Sequence, residues 1–387
     1  MKHKKAIKAI ILFASSMTVM SGAVISPALP SISNFFDRGS DDLLTKLVLT
    51  MPAIFIAGLS PVAGYLIDRF GRKTLLAISL IIYGIAGTAG FFIENIYLLL
   101  VSRAVLGIGV AGIMSAATTL IGDYFSGEER SKFMGFQASF MALGGVVYLN
   151  LGGLLADWSW RGPFLIYATA LTILPFALYY IFEPKSSQKA KSNSDGKLLS
   201  GKVILIYTIG LLGMLFFYMV PVQLPFLLEQ EAGVSSSLVG LAISVSTITG
   251  AIVSINYNRI KKLTSFARIY GLSFILFAIG YGIISSSNNY YVIITGLAFS
   301  GFGMGLIMPN GNLWLMEITD EKKRGRIIGG MTAAIFAGQF LSPIAVAPLV
   351  DTFGVSQSFL VAAGLMLILS ITLAIINPYK VKSYALH

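Results

Sequence analysis

Apolar residues along this chain gather into twelve runs of about 20 residues, the length a helix needs to cross roughly 30 Å of hydrocarbon. They cover residues 7–30, 45–67, 74–93, 96–121, 133–156, 162–182, 203–228, 236–257, 267–286, 290–315, 327–350 and 357–377, with mostly short polar stretches between them. The pattern predicts an all-α integral membrane protein with twelve transmembrane helices. Lys2, Lys4, Lys5 and Lys8 precede the first run, and no small-residue cleavage site with a polar region behind it follows. The first run is therefore expected to be a retained helix and not a cleaved signal peptide.

Charge sorts these runs into an orientation. With a cytoplasmic N-terminus, all 28 Lys and Arg residues except Arg38, Lys46, Arg103 and Arg161 fall in segments on the inner side. By the positive-inside rule both termini face the cytoplasm, across a bacterial-type plasma membrane. The net charge of +11 then reads as an insertion signal held near anionic lipid, and nucleic acid is not an expected partner.

Composition removes most other chemistries. The chain is 56% apolar and only 12% charged, with a mean hydropathy of +0.80, against about 25% charge in a soluble domain. It has no Cys, and its two histidines, His3 and His387, are terminal. Thiolate metal sites, disulfides and intramembrane histidine relays are excluded. There is no G-x-x-x-x-G-K-[ST] element, and Gly301, Gly303 and Gly305 form a GxGxG without the strand and helix context of a dinucleotide site. An enzyme is not expected, nor a metal or a bound cofactor.

The longest polar segment between spans, 183–202, is rich in Lys, Ser, Gly and Asn and reads as a cytoplasmic linker. It separates two halves, 1–182 and 203–387, that repeat each other. At an offset of 194, Pro27 meets Pro221, Gly107 meets Gly301, Gly109 meets Gly303, Asp123 meets Glu317, Arg130 meets Arg324, Lys132 meets Arg326, Gly135 meets Gly329, and Asp157 meets Asp351. Two six-helix halves in parallel repeat are the major facilitator arrangement, with the substrate held near mid-membrane between them.

Between the second and third runs lies Gly64-Tyr65-Leu66-Ile67-Asp68-Arg69-Phe70-Gly71-Arg72-Lys73. This G-x-L-x-D-R-x-G-R-K hairpin resembles the loop between the second and third helices of the major facilitator superfamily of secondary transporters. Arg103 with Gly107 and Gly109 resembles the fourth-helix R-x-x-x-G-x-G of its drug transporters, and Trp160-Arg161-Gly162-Pro163-Phe164 the W-R-x-x-F before the sixth helix. Asp123, Glu128, Glu129, Arg130, Lys132 and Gly135 resemble the loop between helices four and five. Ala28-Leu29-Pro30-Ser31-Ile32 is similar to the A-L-P-x-I of bacterial twelve-helix drug/proton antiporters. Two features depart from those antiporters: Tyr148 and Leu149 stand where their fifth helix has Gly-Pro, and Ser21 where some carry an acid.

The resemblance implies an inner gate. Asp68 would latch onto the start of the eleventh helix, near 326–330, with Arg130 nearby and with Gly64, Arg69, Gly71 and Arg72 shaping the hairpin; the anion suits a helix N-terminus. The plainer alternative is that the basic residues only fix topology. Arg103 is the one charge well inside a run, a functional position by default, against which stands snorkelling to the outer headgroups. Amides and hydroxyls describe the cavity: Ser15, Ser16, Thr18, Ser21, Tyr148, Asn150, Tyr218, Gln223, Asn310, Asn312 and Gln339, with Trp314. They either touch substrate or join helices. No acid lies mid-run, so Asp157 and Asp351, at the outer ends of the fifth and eleventh runs, are the candidates for carrying a coupling proton. The expected function is proton-driven efflux of small organic or amphipathic compounds by a monomer in the lipid bilayer, the proton gradient being the driving force. A metabolite or sugar uniporter or symporter of the same fold is the alternative.

Overall fold

The computed structural model describes residues 3–39, 42–183, 199–320 and 323–376; at 60, 61, 64, 68, 230, 231 and 376 only the backbone path is described. Among these residues there are helices and no strands. We number the spanning helices α1 (Lys4–Phe35), α2 (Leu43–Phe70), α3 (Arg72–Ala89), α4 (Ile96–Tyr124), α5 (Gly127–Trp158), α6 (Gly162–Tyr180), α7 (Gly201–Phe217 continued by Met219–Ala232), α8 (Ser236–Ile255), α9 (Phe266–Ser285) and α10 (Tyr290–Ile318). The helix Arg324–Ile376 folds back at Gly354, whose φ of 78° only glycine adopts freely, giving α11 (324–353) and α12 (355–376). The twelve expected spans are all there, and the fifth helix starts six residues earlier than its apolar run.

Turn chemistry sets the ends. Asp42 accepts from the Thr45 N–H at the start of α2, and Asn95, Ser265 and Asn289 cap α4, α9 and α10 in the same way. Gly71, at φ 86°, lets α2 reverse into α3 without a loop. Two helices are broken where prolines remove backbone donors. α1 loosens after Ala23 into a 3₁₀ turn, Ser26–Ala28, around Pro27. α7 breaks at Tyr218, just before Pro221.

The repeat is visible in packing. On α4, Gly107 lies against the Pro52 carbonyl of α2 and Gly109 against Ser79 and Tyr83 of α3. On α10, Gly301 lies against Ser246 and Thr249 of α8, and Gly303 against the Ser273 carbonyl of α9. In each half the fourth helix is wedged between its two neighbours by the same glycine pair. The GxGxG is thus a close-packing element, as small residues are at helix contacts in membranes.

Two large apolar cores, one per half, interlock. Val222 and Phe226 of α7 belong to the core of the first half, and Leu149 of α5 to that of the second. Between the halves α5 runs along α8, and α2 along the Arg324–Ile376 helix pair. The contacts are not spread evenly from end to end. Among the described residues, hydrogen bonds that cross between halves occur from mid-helix to the end opposite the basic segments, hereafter the far end: Asn150 to Ser244, Ser26 to the Pro221 carbonyl, and Ser237 to Asp157. Toward the basic end, Gly135, Gly325 and Gly329 have open space where a Cβ would sit. Among the described residues, the hydrogen bonds that join the halves gather from mid-helix to the far end.

Candidate transport pathway

The seal is built along α5 and α8 from backbone upward. A Cβ on Gly153 would stand 2.5 Å from the Ser236 carbonyl oxygen, and one on Gly240 2.5 Å from that of Leu149. These two glycines let the helices touch at backbone distance. Asn150, half-buried at the lower edge of this contact, donates to the Ser244 hydroxyl at 2.9 Å and to its own helix at Val146. Above it Asp157 receives the Ser237 N–H, 3.3 Å from each carboxylate oxygen. Asp351, its repeat mate, is exposed and makes no hydrogen bond or ion pair among the described residues. The difference lies in what each aspartate faces. α2, the repeat mate of α8, carries its own cap: burial works to raise Asp42, but the Thr45 hydroxyl and N–H and the Arg38 guanidinium outweigh it and hold the carboxyl below its usual range.

Polar groups predicted for the cavity divide into two kinds. Ser16 shares a 2.8 Å hydrogen bond with Tyr148, and Ser15 receives one from Gln137, which joins α1 to α5. Gln339 of α11 donates to the Tyr218 hydroxyl at the α7 break, and that hydroxyl stands 3.1 Å from where a Cβ on Gly22 of α1 would be. These groups line the facing surfaces of the two halves. Asn310, by contrast, is fully buried, accepting from Tyr257 and donating to the Phe266 carbonyl; it joins helices within the second half, and Trp314 stacks on Phe266 beside it. Gln137, near the start of the fifth apolar run, was not among the residues singled out from sequence.

Gln223 of α7 is fully buried, yet neither its Nε2 nor its Oε1 finds a hydrogen-bond partner among the described residues. An unmet buried amide costs about 1–3 kcal/mol, so Gln223→Leu is expected to raise the melting temperature by a few degrees. If the amide serves the opposite conformation, the same variant transports more slowly than wild type. A lowered melting temperature would show that Gln223 is satisfied where it stands.

At the basic end the hairpin is held by Asp123, which the resemblance includes, and by Glu183, which it does not. Glu183 accepts from the N–H groups of Arg72 and Lys73 at 2.8 and 2.9 Å, capping α3, where the macrodipole favours an anion. Counted with the linker from sequence, Glu183 is a fixed part of the hairpin. Arg72 pairs with Asp123 of α4 at 2.9 Å. Arg69 is exposed over the Phe70 ring, and Arg130 lies against Gly122 at the end of α4. The latch expected of Asp68, and the side of the helix at Gly64, lie outside the described residues. Nearby, Lys4 and Lys8 clasp Glu129, tying the start of α1 to the start of α5 beside a cleft of about 350 Å³ lined by Lys8, Glu129, Lys132, Phe133 and Phe136.

Arg103 does not snorkel. It is 0% exposed, its Nη2 donating to the Ala86 and Gly87 carbonyls of α3 at 2.8 Å. Phe164 and Tyr167 of α6 lie 4.9 and 5.2 Å from its guanidinium carbon, the distances of a cation–π contact. The Tyr167 and Tyr83 hydroxyls in turn donate to the Ser21 and Met17 carbonyls of α1. Arg103 therefore sits behind the wall of the pathway and not on it.

Known proteins resemble this chain in sequence and in architecture. The chain is 26% identical over 358 residues to the bacillibactin exporter of Bacillus subtilis, covering 87% of this chain and 88% of that one. It is 25% identical over 344 residues to the quinolone resistance protein NorA of Staphylococcus aureus, covering 85% and 86%. Among solved structures, a bacterial homolog of the human lysosomal transporter Spinster, in an inward-facing and occupied conformation, superimposes with a TM-score of 0.82 over 97% of each chain at 14% identity, a likeness of fold. The family model of the Major Facilitator Superfamily matches residues 11–260 and 206–385, so that, with twelve helices in two repeated halves, the chain belongs to that superfamily of membrane transporters.

Proposed function

We propose that the protein exports small organic, amphipathic compounds from a bacterial-type cell, driven by the proton gradient, by alternating access between its two halves. The observation that carries this reading is the uneven seam: glycine contacts and hydrogen bonds join the halves toward the far end, and none of the hydrogen bonds among the described residues joins them at the basic end. Such a seam can part at one end as it closes at the other. With the basic end cytoplasmic, as the charge distribution favours, the conformation described is the one that loads substrate from inside. Similarity to the bacillibactin and quinolone resistance proteins supports export over uptake.

The facing surfaces offer Ser16, Tyr148, Gln137, Tyr218 and Gln339, with Phe140 and Phe336 partly buried alongside. Hydroxyls, amides and aromatic faces without a fixed carboxylate suit neutral or anionic amphipathic molecules better than dications.

Uptake of fluorescent dyes and antibiotics into inverted vesicles tests the proposal. Accumulation is expected to be several-fold above empty vesicles and to stop when the proton gradient is collapsed. Transport indifferent to the gradient would make the protein a facilitator, as the uniporter alternative requires. The proton path has its own arm. A carrier must meet water on each side in turn, and Asp351 is already exposed at the sealed end. Loss of accumulation with retained binding in Asp351→Asn would place it on the path, and wild-type accumulation would remove it.

A further inference from the structure

Asp157 stands in the last turn of α5, where the carboxyl end of its own helix dipole disfavours an anion. Its compensation comes from the other half. Both carboxylate oxygens receive the N–H of Ser237, in the first turn of α8. That turn has no cap of its own, because the hydroxyl of the N-cap residue Ser235 is hydrogen-bonded to that of Ser237 and not to a backbone N–H. The repeat-related pair behaves differently: α2 is capped from within by Asp42, and Asp351 receives no hydrogen bond among the described residues. The sequence repeat gives both halves the aspartate, but only one faces an uncapped helix.

We infer that Asp157 is the latch of the far end, capping α8 in trans only while the two halves are closed there. The inference rests on the alternating-access reading. One turn below, Gly153 meets the Ser236 carbonyl at backbone distance, so any parting of α5 from α8 withdraws the carboxylate from the N–H group. Separation leaves Asp157 on an unfavourable helix end and the first turn of α8 without its cap. Both terms favour the closed far end, and Asp351 contributes to neither. Asp157 is thus a positioning residue of the transport cycle, setting how often the far end opens.

The chain has no cysteine, so a single introduced thiol reports alone. Val222 of α7 is fully buried within the core of the other half, and Val222→Cys is expected to react slowly with a polar maleimide in purified protein in nanodiscs. Adding Asp157→Ala is expected to raise the labelling rate about tenfold, and Asp157→Asn about threefold, since a neutral amide oxygen is the weaker acceptor. Asp351→Ala in the same background is expected to leave the rate unchanged. Melting temperatures are measured alongside, and Asp157→Asn, which keeps the side-chain volume, serves if the alanine variant does not fold. Labelling unaltered in both Asp157 variants, or raised equally by Asp351→Ala, overturns the latch. Labelling needs no transported compound, so a protein that exports none of the dyes would refute the proposed function while leaving this result readable.

Discussion

Alanine at Gly152 and alanine at Gly153 are expected to fail in different ways, although the residues are neighbours on α5. A Cβ on Gly152 would collide with the backbone carbonyl of Val24, in the same half. A Cβ on Gly153 would press on Ser236 and Ser237, in the other half, at 2.5–2.8 Å. In each case the obstacle is backbone, which cannot swing aside as a side-chain tip can. Gly152→Ala thus pushes α5 off α1 within one folding unit, and overpacking of this kind costs about 1–3 kcal/mol. Its melting temperature should fall by several degrees, with transport per folded molecule largely kept. Gly153→Ala leaves each half intact but holds the far end apart. Its melting temperature should stay near wild type, while accumulation in inverted vesicles drops by about tenfold or more, because the cycle cannot return to the conformation that loads from the basic end. The reverse pattern, or wild-type transport by Gly153→Ala, would mean that the α5–α8 contact is not part of the moving seam.

How much of this could be read from residues alone depends on whether the feature is local. The twelve spans were legible because hydropathy over about 20 residues is decided by the bilayer and by nothing else in the fold. The glycine pairs Gly107/Gly109 and Gly301/Gly303 were legible as a repeat, though not that each wedges one helix between two others. Roles that depend on a partner far along the chain were hidden. Glu183 looked like the start of a linker until the hairpin 110 residues earlier placed two N–H groups on it. Asn310 and Gln339, both amides in apolar runs, could not be told apart, yet one joins helices in a core and the other faces the opposite half. Asp157 and Asp351 are equivalent in sequence. What separates them is whether the helix each one meets carries its own cap, Asp42 in one case and an idle Ser235 in the other.

Arg103→Ala is expected to lower folded yield and transport together, each by about tenfold, with Arg103→Lys between it and wild type. Taking a guanidinium wholly out of water costs several kcal/mol, and no carboxylate pairs with it among the described residues. Two carbonyls of α3 and two aromatic faces of α6 hold it instead. Lysine keeps the charge but, as a point donor, cannot span two carbonyls while lying flat on two rings. Arg103→Met separates packing from charge, since it fills much of the volume and removes the burial cost. Its melting temperature is expected to return to within a few degrees of wild type, but its transport per folded molecule to remain about tenfold down. The reason is the position of Tyr167 and Tyr83, whose hydroxyls hold the Ser21 and Met17 carbonyls of α1. Once the guanidinium no longer fixes the Tyr167 ring, the α1 wall of the pathway loses its support. Tyr167→Phe, which deletes the hydroxyl and keeps the ring, should reproduce part of that loss with little change in stability. Wild-type transport by both Arg103→Met and Tyr167→Phe would reduce Arg103 to a filler of space behind the wall.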